Sequence, residues 1–256
     1  MTDVVSPSGR TRPAGTLHQY FDASRAPRYS LLFALPLLLL YEALAAMLSG
    51  AGSAGVRNGA DVLLQVAFEA VAGQYAAVAF AVLVVGTSVI LVLRDLRATG
   101  RSLHARFFAF MLAESLALAA IFGLVVGTAT SRLVGSLARL TLSPMEQLDW
   151  PVRLMVSLGA GLYEELLFRV ILVAALAAIA RKVFGWRVRA AGVFATLVGA
   201  IVFSAFHYIG PYGDPFAVQS FVFRLLAGVA FSALYLLRGF GIVAWTHTLY
   251  DVLLML

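Results

Sequence analysis

The chain contains no cysteine. That excludes a disulfide framework, a thiolate nucleophile and a cysteine-ligated metal. Charge is scarce as well. Only 12% of the 256 residues are Asp, Glu, Lys or Arg, whereas 61% are hydrophobic, and a soluble domain carries about 25% charged residues. Histidine occurs four times, at His18, His104, His207 and His247, and no His-Glu-x-x-His run is present, which excludes the compact zinc-protease motif. The net charge of +6 comes almost wholly from arginine. It is not interleaved with aromatics, so no nucleic-acid partner is expected. No internal repeat is visible, which gives an inverted-repeat transporter little support. The N-terminus lacks a signal-peptide pattern: residues 1–28 are polar, with Pro7, Pro13 and Pro27, and read as a flexible tail.

What the sequence does have is long apolar runs. Spans are expected near 29–48, 74–93, 107–130, 152–180, 190–208, 217–237 and 240–256, because about 20 apolar residues cross a bilayer as a helix. The fold expected is an all-α, polytopic transmembrane helical bundle of about seven spans, a single domain over 29–256. Arginines orient it. Arg10, Arg12, Arg25 and Arg28 precede span one; Arg94, Arg97, Arg101 and Arg106 follow span two; Arg181, Lys182, Arg187 and Arg189 follow span four; Arg238 follows span six. Only Arg57, Arg132, Arg139 and Arg153 fall on the other side. The excess predicts an N-terminus in the cytoplasm and a C-terminus outside; the location expected for this multi-pass protein is a bacterial cytoplasmic membrane. Two connections read as interfacial amphipathic helices. In 57–72, Arg57, Asp61, Gln65 and Glu69 recur every four positions; a shorter one is expected in 131–142, with Arg132, Ser136 and Arg139.

The apolar run 151–180 is interrupted by Tyr163-Glu164-Glu165-Leu166-Leu167-Phe168-Arg169. Ionised groups at such depth cost several kcal/mol each unless paired or hydrated. Glu165 and Arg169 are i and i+4 with the acid first, the favoured order for a helix ion pair. Glu164 lies about 100° round the helix from Glu165. One acid is therefore held by the arginine and the other is left for chemistry. Phe203-Ser204-Ala205-Phe206-His207 closes span five, and His247-Thr248-Leu249-Tyr250-Asp251 lies in span seven. His247 and Asp251 share a face. A lone intramembrane histidine usually makes a helix–helix hydrogen bond; three polar clusters on three helices suit a shared water-using cavity or an ion path. Glu42 and Glu114 are further intramembrane acids, and Arg224 is expected to need a structural partner. Depth is a difficulty. Glu164 lies ~18 Å from the outer end of its span and His207 near the outer end of its own, so the two meet only if span five is shifted, tilted or starts later.

Glu-Glu-x-x-x-Arg, then Phe-x-x-x-His, then His-x-x-x-Asp/Asn, in this order on separate spans, resembles the CAAX-protease and bacteriocin-processing family of intramembrane proteases, also called the ABI family. The resemblance covers about 151–256, the catalytic core it implies. It implies a glutamate-type intramembrane endopeptidase acting on a membrane-associated protein or peptide, lipidated or not. Carried over by position, Glu164 is the water-activating acid with His207 beside it, Glu165 and Arg169 complete the first motif, and His247 and Asp251 match the pair that stabilises the oxyanion. Prenyl-protein members often have Asn in the last place. Asp251 donates there only when protonated; otherwise it orients His247.

The residues support this chemistry on their own terms. Peptide hydrolysis needs a base for water, donors at the developing oxyanion and a proton for the leaving amine. No cofactor is implied. Zinc on His207, His247 and Glu164 is the minority alternative, since the ligands lie on three helices with no compact motif. Tyr250-Asp251 lacks the Gly-x-Gly-Asp partner of presenilin-like proteases, and Val134-Gly135-Ser136-Leu137 lacks the rhomboid-like glycine after serine. Two non-protease readings use the same residues: a non-catalytic immunity or partner-binding protein on this scaffold, and a proton-coupled transporter or sensor.

Overall fold

A computed structural model describes residues 16–49, 56–100, 103–135, 148–210 and 213–255. The described residues form helices and no strand. They are α1 (Thr16–Arg25), α2 (Pro27–Leu48), α3 (Gly59–Ala72), α4 (Ala76–Thr99), α5 (Ala105–Val134), α6 (Trp150–Gly159), α7 (Ala174–Lys182), α8 (Val188–Phe206), α9 (Val218–Arg238) and α10 (Phe240–Leu253). Between α6 and α7 the helix continues through two π-helical segments, Ala160–Glu164 and Leu166–Val173.

The protein is an all-α, polytopic membrane bundle. Five stretches are long and apolar enough to cross a bilayer: Pro27–Leu48, Gly59–Thr99, Ala105–Val134, Val188–Phe206 and Val218–Arg238. Their outer faces are apolar, as Leu39, Val78, Val82, Ile90, Leu124 and Val193 show, the inverse of a water-soluble surface. The expected last span is shorter than the sequence suggests. α10 has 14 residues, about 21 Å of helix, against a hydrocarbon core of about 30 Å.

Two expectations are corrected. The polar tail does not extend to residue 28. α1 docks on the bundle through Tyr20 and Ala23, which pack with Tyr29, Phe33, Phe107, Met111 and Ile242, and the Tyr20 hydroxyl donates to Glu114. Residues 1–15 lie outside the described residues. The amphipathic stretch 57–72 does form a helix over Gly59–Ala72, but the first part of its polar edge is turned inward while Glu69 stays exposed. Asp61 is fully buried, takes hydrogen bonds from Tyr41 (2.7 Å) and Gln65 (2.7 Å) and pairs with Arg57, while Val62, Leu63, Val66 and Val71 face outward. Where the outside is apolar, polar groups are satisfied only against each other. Of the second amphipathic stretch, Arg132 belongs to the last turn of α5, and Ser136 and Arg139 lie outside the described residues.

Buried and interfacial cations find acids. Arg28 pairs with Asp95 at 3.0 Å, Arg57 with Glu42 at 2.9 Å, Arg238 with Glu114 at 2.5 Å, and Arg224 with Asp214. Glu42 and Glu114 are thus structural, and the partner of Arg224 is Asp214. Two aromatic-rich clusters flank the polar centre. One joins Tyr41, Met155, Leu158, Tyr163 and Ala244; the other joins Phe122, Phe168, Phe203, Phe231 and Tyr250. Gly161 lets α10 approach the first π segment. A Cβ there would lie 2.0 Å from Thr248 Oγ1 and 2.3 Å from the Ala244 carbonyl oxygen.

Candidate active site

Glu164 and Glu165 sit at the junction of the two π segments. A π turn bonds i to i+5 and is rare outside functional sites. It widens the helix where the acids are, and Arg169 on the second π segment stands against Glu165. Arg169 Nε lies 3.1 Å from Glu165 Oε2. The N–H is not aimed at that oxygen, so the contact is a charge pair and not a hydrogen bond. The guanidinium instead lies 4.3 Å from the centre of the Phe203 ring and 5.5 Å from that of Phe231, a cation–π arrangement that holds a buried cation flat.

Glu165 is fully buried and binds a second partner. Its Oε1 is 2.7 Å from His247 Nδ1. A carboxylate accepts, so Nδ1 carries the proton and the ring is fixed by Glu165. Phe231 stacks on that ring at 4.4 Å with 23° between planes. The other nitrogen, Nε2, is 3.8 Å from Asp251 Oδ2. Glu165 is thus shared by Arg169 and His247, a link that the spacing of motifs on separate helices does not disclose.

Glu164 has no such cation against it. Its Oε1 accepts a hydrogen bond from Asn58 Nδ2 at 2.9 Å. Its Oε2 faces His207 Nε2 at 3.9 Å and has no hydrogen-bond partner among the described residues. His207 caps α8, and its Nδ1 lies 2.8 Å from the Phe203 carbonyl oxygen. That oxygen can only accept, so Nδ1 carries the proton and Nε2 is left for Glu164. The Phe203 ring packs against both imidazoles, 4.9 Å from His207 and 6.3 Å from His247. A gap of 3.9 Å is too long for a direct hydrogen bond and suits one bridging water.

All six residues expected from the sequence therefore fall in one region. The depth conflict disappears when residues are counted from the shared turn between α7 and α8. Glu164 precedes Lys182 by 18 residues, and Phe206 follows Val188 by 18. The helix from Trp150 to Lys182 outruns α8 at its far end, so counting from that end misplaced the pair. Asn58 was missed. Its only sequence signal is that of an N-cap, Asn58-Gly59 ahead of α3. Among the described residues no three His, Asp or Glu side chains are arranged to hold a metal ion.

Residues 146–253 match the family model described as type II CAAX prenyl endopeptidase Rce1-like. This stretch contains all three motifs, and in the structure their side chains meet. This C-terminal region belongs to the CAAX-protease family. No curated protein and no solved structure matches the chain. At the family level this match supports an integral membrane protease of the CAAX type, since the description it carries is that of endopeptidases. The CAAX-protease region supplies α6 to α10 with the two π segments between α6 and α7, and Asn58 reaches it from the unmatched N-terminal part.

Proposed function

We propose that the protein is an intramembrane endopeptidase in which Glu164 activates water without a metal. The observation that carries this reading is the Glu164–His207 pair: one carboxylate oxygen without a protein partner, 3.9 Å from an imidazole nitrogen whose tautomer is fixed. A water held between them gives a proton to Glu164 Oε2 as its oxygen attacks the scissile carbonyl. The proton then passes to the departing amine, with His207 as the second partner of the water.

His247 serves the oxyanion. With Nδ1–H committed to Glu165, a second proton on Nε2 makes the ring a donor on the side of Asp251. Glu165 and Arg169 are the support beneath: the acid fixes the ring, and the arginine offsets the acid. The substrate is a membrane-associated or lipidated polypeptide.

The test is cleavage by purified protein in detergent, with EDTA. The substrates are a peptide ending in an S-farnesylated Cys-aliphatic-aliphatic-Xaa sequence, its unprenylated form, and solubilised membrane proteins of a strain lacking the gene. Chelator-resistant cleavage that is lost in His207→Ala is expected. Reversible loss of activity on chelation, with stoichiometric zinc in the active protein, contradicts the metal-free reading.

A further inference from the structure

We infer that Asn58, which lies outside the matched family region, is the positioning residue that makes Glu164 Oε2 the working oxygen of the base. The inference rests on the proposed role of Glu164. Asn58 is buried, and its amide is committed at both ends. Oδ1 accepts from the Ala60 backbone N–H at 2.9 Å, capping α3. That bond fixes which end of the amide is oxygen, so Nδ2 must be the group that donates to Glu164 Oε1. The backbone is clamped as well. The Asn58 N–H donates to the Tyr41 hydroxyl at 3.2 Å, and that hydroxyl donates to Asp61 at 2.7 Å. Gly159 makes the room, since a Cβ there would stand 2.6 Å from Asn58 Cβ.

The consequence is geometric. The terminal torsion of a glutamate is broad, and a carboxylate without partners turns freely. Asn58 pins Oε1, and the planar group then presents Oε2 to His207 Nε2. The role is distinct from that of a simple cap, because the cap uses Oδ1 and the positioning uses Nδ2.

Asn58→Ser separates the two roles. Serine caps a helix about as well as asparagine but lacks the amide donor. With the cleavage assay above, Asn58→Ser should keep the wild-type Tm and KM while kcat falls about 10- to 100-fold, the range for a lost hydrogen bond to a charged group. Gly73→Ala is the control. It strains the far end of α3, where φ is +52°, and should lower Tm with kcat retained. If kcat falls in step with Tm in both variants, the role is structural and the inference is overturned. If Asn58→Ser turns over like wild type while Glu164→Gln is inactive, the inference fails alone. If Glu164→Gln itself cleaves at the wild-type rate, the base assignment fails, and this inference with it.

Discussion

Glu165→Gln should destabilise the protein far more than Glu164→Gln, although the residues are adjacent and both buried. Glu165 is fully buried, with Arg169 Nε at 3.1 Å and His247 Nδ1 at 2.7 Å. The amide keeps an acceptor for His247, so that bond loses only its charge assistance. Arg169 is 1% exposed, and Nη1 and Nη2 have no hydrogen-bond partner among the described residues. Removing its carboxylate leaves a desolvated cation supported mainly by the Phe203 and Phe231 rings. Breaking a buried ion pair from one side costs about 3–5 kcal/mol. The nearby Glu164 offsets part of this, so about 3 kcal/mol is expected. At roughly 2–4 °C per kcal/mol for a chain of this size, Tm falls by about 6–12 °C. Glu164 faces no such cation. Its amide still accepts from Asn58, so Glu164→Gln should stay within about 1 kcal/mol of wild type, as expected where no buried partner is orphaned. Thermal unfolding in detergent, followed by tryptophan fluorescence, reads the difference. Equal losses in the two variants, or a larger loss in Glu164→Gln, refute the division of labour between the acids.

Asp251→Asn should retain activity within about a few fold. The acid that orients His247 is Glu165 at 2.7 Å, and Asp251 stands off at 3.8 Å; a loss of about 10⁴, as when the orienting acid of a catalytic histidine becomes an amide, would reassign it. Topology is tested with cysteines at Ala98, in the last turn of α4, and Ile209, just after α8, both exposed. In intact cells only Ile209→Cys should react with an impermeant maleimide, because the arginine-rich connections are expected in the cytoplasm; labelling of both positions from one side rejects that orientation.

The fold class and the three motifs were legible because both are written in local pattern. Apolar runs of membrane length mark spans, and Glu165–Arg169 pairing follows from one turn of helix. What was not legible depends on how helices pack. The Glu165–His247 bond joins residues 82 apart in sequence, and no spacing rule reaches that far. The π turns at 160–164 and 166–173 have no composition signal, and the run reads as ordinary helix. α3 was recognised as amphipathic, but the side its polar edge faces depends on what surrounds it, and Tyr41 and Glu42 on α2 drew it inward. Asn58 was hidden for a related reason. An asparagine before a helix reads as a cap, and only the packing of α3 against the Glu164 helix brings its other end to Glu164.

The most direct measurement is the appearance of new C-termini, by mass spectrometry, when purified protein in EDTA is incubated with solubilised membrane proteins of a strain lacking the gene. The account predicts defined cleavage sites with wild-type protein and none with Glu164→Gln of unchanged Tm. The same sites appearing with Glu164→Gln, or no site appearing with wild type until zinc is restored, would contradict it.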